Sequence, residues 1–217
     1  MPSHYRADQP IPETVNLQPG IYISKEDYLQ RRNNKIQGRG RDAPTIGTIN
    51  NINIFIRFAD ENEFATPRSI MDEPFNKPEG PSLAHYYDEV SYSLVEVNTH
   101  HFPVCDMSTN LSYQDQYPRS YYQPYNAQTN PDGYTDDRTE REHTLLRKAI
   151  EFIRDEVPVD LNIDADNDGR VDNVTFLVYG SPGAWADLLW PHRWSLYSQY
   201  VTIHGKQVWD YNFKIFQ

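Results

Sequence analysis

The chain has one cysteine, Cys105, in 217 residues, so no disulfide can form within it and its stability must come from packing, hydrogen bonds or a bound ion. Cys105 is then a small buried hydrophobe or a free thiol. No run of about 18 apolar residues occurs, which excludes a membrane-spanning helix. Basic residues are outnumbered by acidic ones, 20 to 31, for a formal net charge of −11. That balance argues against nucleic acid or an anionic membrane as partner, because both need a basic face. No apolar core follows Met1-Pro2-Ser3-His4-Tyr5-Arg6, so no signal peptide is expected in this chain, and export would require one removed beforehand. Apolar residues are sparse at 38% while Tyr and Pro number 16 each. Long polar connections around one core of ordinary size, or a piece of something larger, would explain that.

What the chain does have is Asp164-Ala165-Asp166-Asn167-Asp168-Gly169-Arg170-Val171-Asp172, followed directly by the apolar run Val174 to Gly180. Carboxylates at alternate positions, Gly at the sixth place and Asp at the ninth match the first nine places of an EF-hand calcium loop. Asp164, Asp166, Asp168 and Asp172 would supply side-chain oxygens, Gly169 the sharp bend, and Arg170 its backbone carbonyl with the side chain toward solvent. At an effective dielectric near 20, each pair of carboxylates a few ångströms apart costs about 3–4 kcal/mol, so the loop is expected to open without a cation. The twelfth place is Thr175 rather than a bidentate Glu, which predicts a structural site with affinity of roughly 10⁻⁴–10⁻³ M. The plainer reading is a solvated acidic turn between a helix and a strand.

Residues 1–45 read as an arm or pro-segment remnant with one short helix at Ser24–Arg32; the Arg31-Arg32 and Arg39-Gly40-Arg41 clusters are linker or a processing site. Asn51–Phe58 alternates Ile52, Ile54, Ile56 and Phe58 as a strand. The prolines at 67, 74, 78 and 81 predict a loop. Ser82 caps a helix to about Tyr92 with Leu83, Tyr86, Tyr87 and Val90 on one stripe. Val95, Val97 and Thr99 continue as a strand, on which His100 and His101 face opposite ways and cannot easily share a metal. Residues 103–137 form a long Tyr-rich loop, either a binding platform or a packed surface. Thr139-Glu140-Arg141-Glu142 reads as a capping box opening a helix through Leu145, Leu146, Ala149, Ile150, Ile153 and Val157, which Pro158 ends. The Asp cluster would then clamp that helix to the following strand. Val201–His204, a Gly205-Lys206 turn and Gln207–Phe216 read as the last pair of the sheet.

Taken in order, Tyr86-Tyr87-Asp88-Glu89-Val90-Ser91-Tyr92, the Leu145–Val157 helix, the Asp164–Asn173 loop, the Val174–Gly180 strand and Trp190-Pro191-His192-Arg193-Trp194-Ser195-Leu196 resemble the first part of the catalytic domain of immune inhibitor A-type secreted zinc metallopeptidases. The resemblance implies that residues 46–217 form the N-terminal part of a zincin-like α/β domain. That domain would have a twisted mixed sheet of about five strands, two packed helices and long loops. It also implies secretion, a zinc-activated water that hydrolyses proteins or peptides, and the rest of the same domain as partner. The family's zinc helix carries His-Glu-x-x-His, which is absent from these residues. No catalytic residue is therefore expected in this chain, zinc belongs to ligands outside it, and only calcium is expected within it. Trp190 and His192 would line the substrate cleft, unless His192 hydrogen-bonds a backbone carbonyl inside an aromatic cluster; Asp187 is a further candidate loop ligand. The alternative is a calcium-stabilised extracellular binding or scaffold protein derived from that fold.

Overall fold

Asn50 to Ile56, seven consecutive residues of strand β1 (Gly47–Arg57), are buried. A strand covered on both faces belongs in the middle of a sheet, and β1 lies there. The computed structural model describes residues 44–180 and 188–216. The chain divides into two units, Met1–Arg41 and Asp42–Gln217, and these residues belong to the second. The expected helix at Ser24–Arg32, the arginine clusters before Asp42 and the candidate ligand Asp187 lie outside the described residues.

The sheet is mixed and mostly parallel. β1 pairs in parallel with β2 (Val95–Phe102) on one side and β4 (Val174–Tyr179) on the other. β4 pairs in parallel with β8 (Asp210–Phe216), and β5 (His192–Ser195) closes that edge antiparallel to β8. Two residues of the long loop, β3 (Tyr113–Gln114), also pair with β1, which makes six strands where about five were expected.

On one face Ile52, Ile54, Ile56 and Phe58 join Val174, Phe176, Val178, Tyr211 and Phe213 beneath helix α3 (Arg138–Ile153). Its Leu145, Leu146, Ala149, Ile150 and Ile153 are wholly buried, each larger side chain contributing about 1.5–3 kcal/mol by leaving water. The opposite face is more polar. Phe55, Phe64, Met71 and Leu177 form a small apolar cluster, beside which Asn51 Nδ2 donates to Thr99 Oγ1 at 3.1 Å. Asn51 Oδ1 accepts from Asn173 Nδ2 at 2.6 Å and Thr175 Oγ1 at 3.1 Å. Alternation along β1 is therefore real, but both of its faces are covered.

Helix α1 (Arg68–Asn76) occupies part of the region expected to be a proline-rich loop. Pro74 sits inside it, removing the N–H that would reach the Ile70 carbonyl and crowding that carbonyl, while Arg68 and Met71 are buried. Helix α2 (Leu83–Val90) is capped as expected, Ser82 Oγ accepting from His85 N–H at 3.1 Å. Its apolar stripe does not face the core: no residue of the helix is buried, and Tyr86, Tyr87 and Val90 are exposed.

The capping box at Thr139 is corrected. α3 begins two residues earlier, with Asp137 at the N-cap and no side-chain cap hydrogen bond, and Glu142 turns into the protein. The helix also stops at Ile153, short of Val157, which is buried in the turn that follows. The Tyr-rich loop packs in large part on itself. Tyr117 and Tyr121 stack at 3.9 Å, and buried Asp115 accepts from the hydroxyls of Tyr122 at 2.6 Å and Tyr113 at 3.1 Å. The last hairpin is corrected as well. β6 (Thr202–Ile203) and β7 (Lys206–Gln207) form a separate two-stranded sheet turning through His204 and Gly205, both at positive φ. β8 joins the main sheet instead. No helix among the described residues is long and apolar enough to cross a membrane.

Candidate metal loop and sheet-edge site

The segment after α3 returns to the sheet through the acidic loop, and its backbone is bent there by Asn167 at φ 58° and Gly169 at φ 88°. A side chain at 169 would meet no neighbour within 4 Å, so glycine is needed for the left-handed backbone and not for room. One carboxylate oxygen from each of Asp164, Asp166 and Asp168 lies within 4.8 Å of the other two. Oxygens on opposite sides of one calcium ion are at most about 5 Å apart, and an all-carboxylate set suits a hard cation. The donor set could therefore hold a hard cation of calcium's kind.

Asp172 does not join that group. Its carboxylate accepts from Ala165 N–H at 3.0 Å across the base of the loop, and burial, with the charges of Asp166, Asp164 and Asp168, pushes its pKa up to about 6. Asp166 is raised by burial and the neighbouring carboxylates. Asp164 behaves oppositely: burial would raise it, but Lys206 and the N–H groups of Gly169 and Asp168 outweigh burial and hold it below the usual value. The Arg170 side chain is corrected too, since its guanidinium lies 4.9 Å above the Trp209 ring instead of pointing to solvent.

The expectation that the loop depends on a cation alone to stay closed also changes. Asp164 accepts from Asp168 N–H at 2.9 Å and Gly169 N–H at 3.1 Å, and Asp168 accepts from Arg170 N–H at 2.8 Å. Lys206 Nζ reaches Asp164 Oδ2 at 2.6 Å. The loop is tied to the hairpin by main-chain bonds as well, Val171 N–H to Gln207 O and Gln207 N–H to Gly169 O, each at 2.9 Å. The ties seen thus run to the segment entering β8 rather than to α3. Lys206 escaped sequence reading because 42 residues separate it from Asp164.

Trp190 and His192 come together at the other end of β8. The His192 ring stacks between Trp190, at 5.2 Å, and Phe213, at 5.3 Å. Nδ1 lies 2.6 Å from Trp190 O, and Nε2 lies 2.9 Å from Glu142 Oε1. Both ring nitrogens are engaged, which is the structural arrangement weighed for this residue. Burial works against charge on His192, but the hydrogen bond and charge of Glu142 prevail and raise its pKa. Tyr211 donates to the same carboxylate oxygen at 2.5 Å, and burial beside that charge raises its pKa far above the ordinary range. Glu142 was legible after all: it precedes Leu145, Leu146 and Ala149 by three, four and seven places, the same side of a helix as the core stripe. His100 and His101 do face opposite ways, His100 Nε2 to Asn50 Oδ1 at 3.0 Å and His101 Nε2 to Asp72 Oδ1 at 2.8 Å.

Strand β5 carries this cluster and is the last strand on that side of the sheet among the described residues. Leu196 N–H donates to Trp209 O at 2.7 Å, continuing the register in which Trp194 faces Tyr211. The backbone groups of Arg193 and the N–H of Ser195 consequently turn away from β8, while Ser195 O accepts from Tyr197 N–H at 2.9 Å. Trp194 and Tyr197 beside them are each 56% exposed. At the opposite edge, β2 is blocked: Ser91 Oγ accepts from Val95 N–H, and the Asn76 amide bonds both the N–H and the C=O of Thr99.

Asp164, Asp166 and Asp168 are the only group of three or more potential metal-ligating side chains brought together among the described residues. They do not fit zinc, whose sites use His and Cys or His with a carboxylate. No protein-family model and no curated protein matches this chain.

Proposed function

We propose that this chain is the calcium-braced, substrate-aligning part of a secreted zinc endopeptidase domain. The observation that carries the reading is the β5 edge. Arg193 N–H and C=O and Ser195 N–H point away from β8 along an antiparallel strand, and an extended peptide can add to such an edge as one more strand. The segments that resemble the metallopeptidase family support it further, since α2, α3, the acidic loop, β4 and β5 follow one another around a single sheet in the order of the resemblance.

In this reading the residues of the chain bind and orient. Glu142 holds His192 and with it β5, Trp194 and Tyr197 offer apolar surface beside the peptide, and calcium at Asp164, Asp166 and Asp168 braces the hairpin that leads into β8. The hydrolytic water belongs to zinc held by residues outside this chain, and no chemical step is assigned to the residues described. The test is casein cleavage by the full-length gene product with and without 1,10-phenanthroline. Cleavage abolished by the chelator and restored by zinc supports the reading; chelator-insensitive cleavage overturns it.

The exposed aromatic stripe of α2, with Tyr86 at 58% and Val90 at 50% exposure, favours a second reading, a calcium-stabilised extracellular binding or scaffold protein. Exposed apolar side chains gathered on one helix face are a feature of interaction surfaces. A full-length product without a His-Glu-x-x-His helix and without cleavage of casein would favour it.

A further inference from the structure

Asn53 Oδ1 is the one buried side-chain polar atom without a hydrogen-bond partner among the described residues. Such an atom is costly unless a donor reaches it. Thr175, its neighbour in register on β4, sends its hydroxyl to Asn51 instead. The other end of the amide is engaged, with Nδ2 lying 2.8 Å from His101 Nδ1. His101 Nε2 in turn lies 2.8 Å from Asp72 Oδ1 on α1.

The carboxylate can only accept, so Nε2 carries a proton. The charge on the ring is therefore decided at Nδ1. In the neutral ring Nδ1 is an acceptor, Asn53 must present its NH2 group, and Oδ1 is stranded. In the imidazolium Nδ1 becomes a donor, and a half-turn of the amide, which exchanges groups of nearly the same outline, gives Oδ1 that donor and moves the NH2 group to the place Oδ1 left.

We propose that Asn53, His101 and Asp72 form a proton-linked switch in which proton uptake at His101 Nδ1 turns the Asn53 amide and the charge on the ring strengthens the Nε2–H bond to Asp72 that already ties α1 to the sheet. The placement suits a latch. His101 is packed against Phe55 and Phe75 at 5.6 and 5.3 Å. Asp72 also receives the Asn76 amide, and Asn76 clips the edge of β2 at Thr99. The charged and titratable groups facing the ring are Asp72 and Arg68 from α1 and His100 from β2. Asp72 favours the imidazolium while Arg68 and His100 oppose it. With the amide presenting NH2, burial outweighs Asp72 and holds the His101 pKa below the usual value. Proton uptake and the turn accordingly come at a lower pH than for an ordinary histidine.

Histidine-labelled NMR of the whole chain, titrated from pH 8 to pH 5, tests this directly. The switch requires His101 Nδ1 to move to the protonated position while the Asn53 side-chain NH2 resonances shift with the same midpoint. Exchange of the α1 backbone amides, corrected for intrinsic pH dependence, should slow below that midpoint. Asn53→Leu, which has no oxygen to offer, should move the midpoint to lower pH. His101 neutral down to pH 5, protonation with unmoved Asn53 resonances, or an unchanged midpoint in N53L would each overturn the proposal, and the first two are read on the wild-type chain alone.

Discussion

Lys206 Nζ stands 2.6 Å from Asp164 Oδ2, so an ammonium of the chain's own already sits on a carboxylate that calcium would use. The two cations would share one carboxylate. Lys206→Met should therefore act in opposite directions in the two conditions: in EGTA it removes a counter-charge and lowers stability by ~1 kcal/mol, while calcium titration should give a lower Kd. Urea melts in EGTA alongside calorimetric titration check it, and a variant that binds calcium more weakly than wild type would contradict the competition.

Glu142 holds His192 and Tyr211 on one buried oxygen. Glu142→Ala strands both partners in the interior and should cost about 3–5 kcal/mol, read as the urea midpoint. Glu142→Gln keeps the shape and should cost less.

The same pair predicts a pH dependence. His192 has its folded pKa raised by Glu142, against the pull of burial, so the pair's contribution is complete below the unfolded histidine value of about 6.5. It is lost as pH rises through the folded value. The stability gap between wild type and Glu142→Gln should accordingly be larger at pH 6 than at pH 9. A gap that widens with pH would contradict the assignment.

Arg68 is 1% exposed and bonds only neutral acceptors, Asn110 Oδ1 at 2.9 Å, Pro103 O at 3.2 Å and Leu111 O at 2.8 Å, with its guanidinium 4.0 Å above Phe55. It fixes the start of the Tyr-rich loop to α1. Arg68→Met leaves those acceptors unpaired and should cost about 3 kcal/mol or more, with an unchanged denaturant slope if the rest of the sheet is intact.

Peptide pairing at β5 makes Arg193→Pro informative. Proline on an edge strand with its N–H outward removes no ladder bond, and the Arg193–Asp210 ion pair it deletes is exposed and worth little. Casein cleavage by the full-length product should fall at least tenfold with the melting temperature within about 2 °C. Full activity would contradict the assignment of that edge.

The parts that were legible in the sequence were those written in local periodicity. Ile52, Ile54 and Ile56 announce β1, Leu145 to Ile153 announce α3, and Asp164 to Gly169 announce a bent acidic loop. What could not be read depends on partners distant in the chain. α1 hides behind Pro74, because its burial is decided by contacts with the sheet. The α2 stripe has helical spacing yet faces outward, since spacing specifies one side of a helix and not what covers it. The capping box failed for a similar reason: Glu142 was within reach of Thr139 by spacing, but Tyr211 and His192, 69 and 50 residues away, claimed it. Asp172 likewise serves Ala165 N–H, a choice that motif spacing does not encode.

Calcium at the 164–172 loop is tested most directly by melting the chain in 10 mM calcium and in EGTA, beside Asp166→Ala. With Kd of roughly 10⁻⁴–10⁻³ M, binding adds about 1.4–2.7 kcal/mol, a rise of roughly 3–10 °C for a domain of this size. Wild type should show that rise and Asp166→Ala should lose it, magnesium giving less than calcium at equal concentration. Superimposable wild-type melts in calcium and EGTA would contradict the calcium brace.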